Sequence, residues 1–312
     1  MESLRLAFSV VGPLLVYMVV GALIRSSGIF TRENFKALNQ VLFRVLIPLS
    51  LFFSIYGADL GKSADLKLFL LTEGLVLASL ILPWFLLKKK IPDKGDRATV
   101  VQGIFRSNLV LYGGAVAASL CDENGLALIA ALTALIVPTI NIGGVVLFEL
   151  ARGGQVNAAE LAKRIITNPL VIAGILGTLF TLLGITLPQF LDVPLRNLGK
   201  TATPLGMVSL GGILSFESIR SHAGYLRLTV VMKLVVIPFI AVLAAGAMGY
   251  RGGGMAAMLA VFASPTAVAS APMAQAMGGN GDLAGEIVAA TSVFSLLTMF
   301  LFIFALSGVG WL

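Results

Sequence analysis

Gly103-Ile104-Phe105-Arg106-Ser107-Asn108-Leu109-Val110-Leu111-Tyr112-Gly113-Gly114 sits in the middle of an apolar segment, 98–119, long enough to cross a bilayer. It carries a guanidinium, a hydroxyl, an amide and a closing glycine pair where a spanning helix would carry hydrocarbon. Polar groups at that depth are costly, and they mark pathways or binding sites. The fold that would tolerate such a stretch can be read outward from it.

The surrounding chain is 312 residues long, 58% hydrophobic and 12% charged. A soluble domain carries roughly 25% charged residues, so this composition describes a polytopic membrane protein. No stretch is long and polar enough to form a soluble catalytic domain. The net charge of +7 lies in short loops, which is a topology signal and not a nucleic-acid patch. The first apolar segment lacks a basic leader and a small-residue cleavage site, so it reads as a membrane helix. One cysteine, Cys121, and one histidine, His222, exclude an internal disulfide and a Cys- or multi-His metal site. No cofactor is expected.

A hydrocarbon core takes about 20 apolar residues to span. Ten such segments are expected, over 7–25, 36–57, 66–87, 98–119, 125–148, 166–184, 195–216, 226–248, 255–277 and 284–307. The loops after odd-numbered segments hold thirteen basic residues: Arg25, Arg32, Lys36, Lys88, Lys89, Lys90, Lys94, Arg97, Arg152, Lys163, Arg164, Arg220 and Arg227. The other side holds six: Arg5, Lys62, Lys67, Arg196, Lys200 and Arg251. The positive-inside rule then makes the odd loops cytoplasmic and puts both termini outside a cell (inner) membrane.

A shift of 156 residues, half the chain, superposes Pro13 on Pro169, Gly21 on Gly177, Gly28-Ile29 on Gly184-Ile185, Arg44 on Lys200, and Pro48-Leu49 on Pro204-Leu205. Repeats of five segments each, 1–156 and 157–312, must insert upside down relative to one another. Inverted repeats are a signature of secondary transporters, with the site between the halves near the midplane. The same shift sets Asn108 on Ser264 and Leu109 on Pro265, within Val261-Phe262-Ala263-Ser264-Pro265-Thr266-Ala267-Val268-Ala269-Ser270-Ala271-Pro272. Two prolines and several hydroxyls there argue for a broken helix. By helical rise Asn108 lies roughly 15 Å from one edge and Pro265 roughly 16 Å from the other. The two interruptions therefore fall at matching depth, where half-helix ends can hold an ion or a charged solute.

These residues resemble the auxin efflux carrier family, which includes plant PIN carriers and bacterial permeases for small organic acids. The matching pieces are Phe35-x-x-x-Asn39 running into Pro48, Ser107-Asn108 with Gly113-Gly114, Phe148-Glu149, Asn168-Pro169-Leu170, Thr203-Pro204-Leu205 with Gly211, and Ser264-Pro265-Thr266. The resemblance implies an all-α protein of ten helices in two inverted five-helix repeats, an architecture shared with sodium/proton antiporters and bile-acid symporters. It implies a scaffold of helices 1, 2, 6 and 7 (about 7–57 and 166–216) and a transport unit of helices 3–5 and 8–10 (about 66–148 and 226–307). Broken helices 4 and 9 would cross at the midplane, with elevator-like motion and a homodimer. The short stretch Arg152–Arg164, in place of a long hydrophilic loop, points to the compact bacterial type.

The candidate substrate-binding residues are Arg106, Ser107, Asn108, Asn141, Ser264, Pro265 and Thr266. Asn108 can bind substrate or cap the second half-helix. Arg106 can grip a carboxylate bidentately, reach the interface along its own stem, or pair with Glu73 or Glu149. Glu73 is a proton-coupling candidate, or a partner for Arg44, Arg106 or Lys233. Glu286 is the second coupling candidate, read mainly as a helix-start acid. Arg44 and Lys233 are expected to snorkel. Glu149 and Arg152 are expected to end helix 5 as a surface pair. Thr291, Ser292, Ser295 and Thr298 could face the site or stitch helices together.

Three functional classes follow. The first is a transporter of small organic anions, coupled to protons or, through backbone carbonyls, to sodium. The second is an ion-coupled exchanger or channel-like pore with no organic substrate, or a bile-acid-symporter-like sodium-coupled transporter; antiporters of this kind usually need deep carboxylates, which segments 4 and 9 lack. The third is an intramembrane enzyme, for which no nucleophile–base or metal motif is present.

Overall fold

The computed structural model describes residues 2–57, 65–109, 120, 123–153 and 158–312. Those residues are nearly all helical, and their only β-pairing is an isolated antiparallel bridge between Ser107 and Thr266. Lys62, the stretch 110–119 with Tyr112 and Gly113-Gly114, and Cys121 lie outside the described residues.

Helix starts follow from short polar side chains that accept from otherwise unpaired backbone N–H groups. Thr31 and Asn34 form a reciprocal capping box before Arg32–Val41. Asp65 accepts from Leu68 N–H before Leu66–Leu86, and Asp93 from Asp96 N–H before Lys94–Phe105. Asn168 accepts from Leu170 N–H, with Pro169 at the first helical position of Pro169–Leu182. Asn280 does the same before Gly281–Gly308. Two helices contain a π-helical turn, Leu42–Leu46 and Met232–Val236, each followed within two residues by a proline, Pro48 or Pro238. Proline has no N–H to donate back along the helix, so the ladder widens locally just before it.

Five helices among the described residues are long and apolar enough to cross a membrane: Arg32–Ile55, Leu66–Leu86, Gly125–Arg152, Ala223–Ala247 and Gly281–Gly308. A sixth arises if Ala158–Ile166 and Pro169–Leu182, bent by 65°, count as one. Expected segment 1 is the helix Glu2–Ser26, and segment 4 is described over Lys94–Phe105. Segment 7 divides into Gln189–Lys200 and Ala202–Ile213, and segment 9 into Gly253–Phe262 and Ser270–Met277. Pro265 lies in the second of these breaks, consistent with its missing donor.

Packing forms two sets of helices that also touch one another, with Glu2–Ser26 lying against Gly281–Gly308. Glu2–Ser26 lies along Ala202–Ile213, and Ile47–Ile55 along Pro169–Leu182 and Gln189–Lys200. Close approach there depends on glycine. A Cβ on Gly21 would fall 1.9 Å from the Val208 carbonyl oxygen, and one on Gly211 would fall 1.9 Å from that of Met18. Small residues let apolar helices meet backbone to backbone, where dispersion contacts hold them without a hydrophobic drive. The second set packs Leu66–Leu86, Lys94–Phe105, Glu123–Arg152, Ile237–Ala247, Gly253–Phe262 and Gly281–Gly308 together. Exposed large apolar side chains, such as Leu82, Phe85, Leu182, Leu183, Phe239 and Phe304, face outward, as lipid contact requires.

Candidate functional site

The helix Lys94–Phe105 stops at Phe105, and the next three residues leave helical geometry. The chain 263–269 does so opposite them. The two breaks are tied together: Asn108 N–H donates to the Pro265 carbonyl at 2.9 Å, and Ala267 N–H to the Arg106 carbonyl at 3.2 Å. Each break thus satisfies backbone groups freed by the other, which is what irregular backbone in an apolar interior needs.

Beside this junction is a cavity of about 640 Å³ between the two helix sets. One wall comes from Pro13–Tyr17, from Ile47–Ser54 and from Lys200–Gly206; the other comes from 106–109, from Val137–Asn141 and from 267–272. Its polar lining includes Arg106, Ser107, Asn108 and Asn141, with Lys200 on the facing wall, and no acid is among the described residues that line it. Most of the rest is apolar, including Leu14, Ile47, Leu51, Leu109, Ile140 and Val268.

Arg106 is 2% exposed. Its guanidinium donates to Asn141 Oδ1 at 2.7 Å and to the Met273 sulfur. Gln102, one turn earlier and fully buried, accepts from it at 3.2 Å when its amide is turned to donate to the Ser270 carbonyl. Asn141 passes the polarity on, donating to the Val137 carbonyl at 2.8 Å. Among the described residues every partner of Arg106 is neutral. The expected alternatives, reach to an interface and pairing with Glu73 or Glu149, are both absent. Glu149 is buried and bonds Arg152 and Arg164, so the expected surface pair has its carboxylate inside. Glu73 sits beside the Thr139 hydroxyl, with its second oxygen buried and unpartnered among the described residues.

Lys233, expected to snorkel, is instead 1% exposed, and its ammonium donates to the Ser107 hydroxyl. The reason is which side of the helix it occupies: the turn Met232–Val236 packs against Lys94–Phe105 and Gly281–Gly308, so the lysine stem runs into the protein. Arg44, on the other π-helical turn, is exposed as expected. Asn108 is 9% exposed, and its Nδ2 has no partner among the described residues.

The structure does not bring Ser264, Pro265 or Thr266 into the cavity lining. Ser264 donates to the Ala260 carbonyl, and Thr266 donates through its hydroxyl to the Gly103 carbonyl at 2.7 Å and through its backbone N–H to Thr291 Oγ1 at 3.2 Å. These side chains fasten the broken helix to its neighbours. Thr291, Ser292 and Ser295 are buried in that interface, off the cavity. Glu286 also lies elsewhere. It is not the helix-start acid, a place taken by Asp282. Glu286 is 2% exposed and accepts from Ser218 Oγ, with His222 Nδ1 at 2.8 Å. His222, half-buried in the turn between Phe216–Ser221 and Ala223–Val231, thus ties that turn to the buried Glu286 carboxylate.

Sequence reading missed Gln102, Met273 and Lys200. Gln102 was detectable, because residues four apart share a helix face and Gln102 is four before Arg106. Met273 and Lys200 reach the site only through tertiary packing.

Comparison with known proteins agrees with the fold. The family described as membrane transport protein matches residues 6–303. An uncharacterized transporter of Methanothermobacter thermautotrophicus is 24% identical over 293 residues, covering 91% of this chain and 93% of that protein. A second uncharacterized transporter, from Methanocaldococcus jannaschii, is 24% identical over 303 residues, covering 94% and 95%. The tied breaks and their membrane setting thus belong to a chain of the membrane transport protein family, that of the auxin efflux carriers.

Proposed function

We propose that this membrane transporter moves small organic anions and binds them in the cavity beside the 106–108 and 263–269 breaks. The observation that carries the reading is the cavity wall: Arg106, Ser107 and Asn108 present donors, and no acid among the described lining residues offsets them. A buried cation without an anion costs several kcal/mol, so an entering carboxylate gains what the protein leaves unmatched. An exchanger of cations fits this wall poorly.

The mechanism we propose is alternating access. The polypeptide would form ten spans in two inverted repeats, with termini outside. The set containing 13–17, 47–54 and 200–206 acts as scaffold, and the set carrying 106–109, 137–141 and 267–272 moves against it. Polar contacts join the sets away from the cavity, among them Arg32 to Asp282 at 2.7 Å, Asn39 to Gln275 at 2.8 Å and Gln275 to the Lys36 carbonyl at 3.0 Å. Along Arg32–Ile55 these residues occupy the start, and the cavity residues Ile47–Ser54 occupy the end. One end is thus closed by polar contacts while the other holds the cavity, an arrangement that suits an outward-facing state under the positive-inside orientation. Proton coupling has two candidates, Glu73 and Glu286, neither in the cavity lining; a carbonyl-built sodium site is the alternative. A ligand that binds only the folded state raises its melting temperature. A thermal-shift screen of mono- and dicarboxylates should find stabilising members that Arg106→Gln abolishes. A flat screen on folded protein would oppose the reading.

A further inference from the structure

We infer that Lys233 is a second positive charge of the anion site, delivered to the cavity through the Ser107 hydroxyl; this rests on the anion-transport reading above. The juxtaposition is built by two helices in register. Gly103 lies against Thr229, where a Cβ on the glycine would come within 2.9 Å of Thr229 Cγ2. Four residues further along each chain, Ser107 meets Lys233.

The hydrogen-bond direction is fixed by chemistry. An ammonium has donors only, so the Ser107 oxygen must accept from it. The hydroxyl proton is then free to point elsewhere, and Ser107 is a cavity-lining residue next to Asn108. Accepting from a cation also polarises the hydroxyl and strengthens it as a donor. The three consecutive side chains 106–108 thus each offer a donor to one acceptor, and two of the three are backed by a buried cation.

A purely structural role explains the lysine less well. Among the described residues no carboxylate lies within ion-pair distance of Lys233. The π-helical turn does not demand a buried cation either, since the equivalent Leu42–Leu46 turn holds an exposed Arg44. A buried charge in a spanning helix that serves only packing would be replaced by an apolar residue at a gain. Pairing with a transient anion is the use that requires it.

The test compares binding of benzoate, phenylacetate, succinate and malonate to purified wild type, then pairs the tightest binder with its primary amide. Lys233→Met should lower affinity for the carboxylate by about 10- to 100-fold and leave affinity for the uncharged amide within about twofold. Lys233→Arg should restore part of the difference. Ser107→Ala removes the relay while keeping the lysine, and should lose carboxylate preference in the same sense, which covers the case in which Lys233→Met fails to fold. Wild-type binding with an unchanged carboxylate-to-amide ratio in Lys233→Met or Ser107→Ala would overturn this inference alone. Failure of wild type to bind any of the four anions would overturn it together with the anion-transport reading.

Discussion

Replacing Asn108 by alanine should separate stability from function. Its Nδ2 is buried and unpartnered among the described residues, and an orphaned buried donor costs about 1–3 kcal/mol. Truncation removes that penalty and loses a few packing contacts of similar size. The expected net change in stability is therefore within about 1 kcal/mol, or a few degrees in apparent Tm at most. Binding should change far more. A donor to a charged acceptor contributes about 1.5–3 kcal/mol, which is about 10- to 150-fold in affinity. The assay is thermal unfolding of the detergent-solubilised variant, followed by uptake into proteoliposomes across a carboxylate panel. Uptake with wild-type KM would remove Asn108 from the site. A loss of several kcal/mol of stability would show instead that the amide is a structural fastener.

Other perturbations test other parts of the account. Gly211→Ala places a Cβ 1.9 Å from the Met18 carbonyl oxygen, so it should separate the Glu2–Ser26 and Ala202–Ile213 helices and sharply lower the yield of folded protein; normal melting would refute that packing. Thr266→Val loses the bond to the Gly103 carbonyl and should cost about 1–3 kcal/mol in stability without altering the carboxylate-to-amide preference. The Asp65 carboxyl is held below its usual range by the Leu68 N–H it caps and by the Tyr250 hydroxyl. A lowered folded-state value means that its stabilisation is present above the unfolded value, about 3.9, and is lost as pH falls through the folded value. Asp65→Ala should cost about 1 kcal/mol at neutral pH and almost nothing at the acid end of a pH–stability scan.

Much of this molecule is legible in residue types that a bilayer penalises. The polar triad 106–108 and the Pro265 break stand out because hydrocarbon tolerates neither, and the structure ties them by two backbone hydrogen bonds. Roles within the triad were partly visible: a buried arginine must find oxygen, but that its partners are Asn141 and Gln102 depends on which helix faces which. Ser264 and Thr266 matched the pattern of a site, yet their hydroxyls satisfy nearby carbonyls, a use that sequence cannot distinguish from ligand contact. Lys233 was misjudged because which face of its helix packs inward, here against Lys94–Phe105 and Gly281–Gly308, is set by tertiary contacts that an apolar run does not reveal. Helix pieces such as Gln189–Lys200 escaped because a single apolar count does not see a break. Motifs that pointed to the family serve the frame: Asn39 bonds Gln275 and accepts from Ser209, Asn168 caps a helix, and Gly211 permits a close crossing.

The central claim is that an organic carboxylate is carried through the Arg106–Asn108 cavity. The most direct measurement is flux of labelled mono- and dicarboxylates into proteoliposomes containing wild type or Arg106→Gln, each shown to be folded and inserted. Saturable, protein-dependent flux of at least one carboxylate, reduced at least about tenfold by Arg106→Gln, is the predicted result. Absence of carboxylate flux in wild type, or flux indifferent to Arg106, would contradict the account.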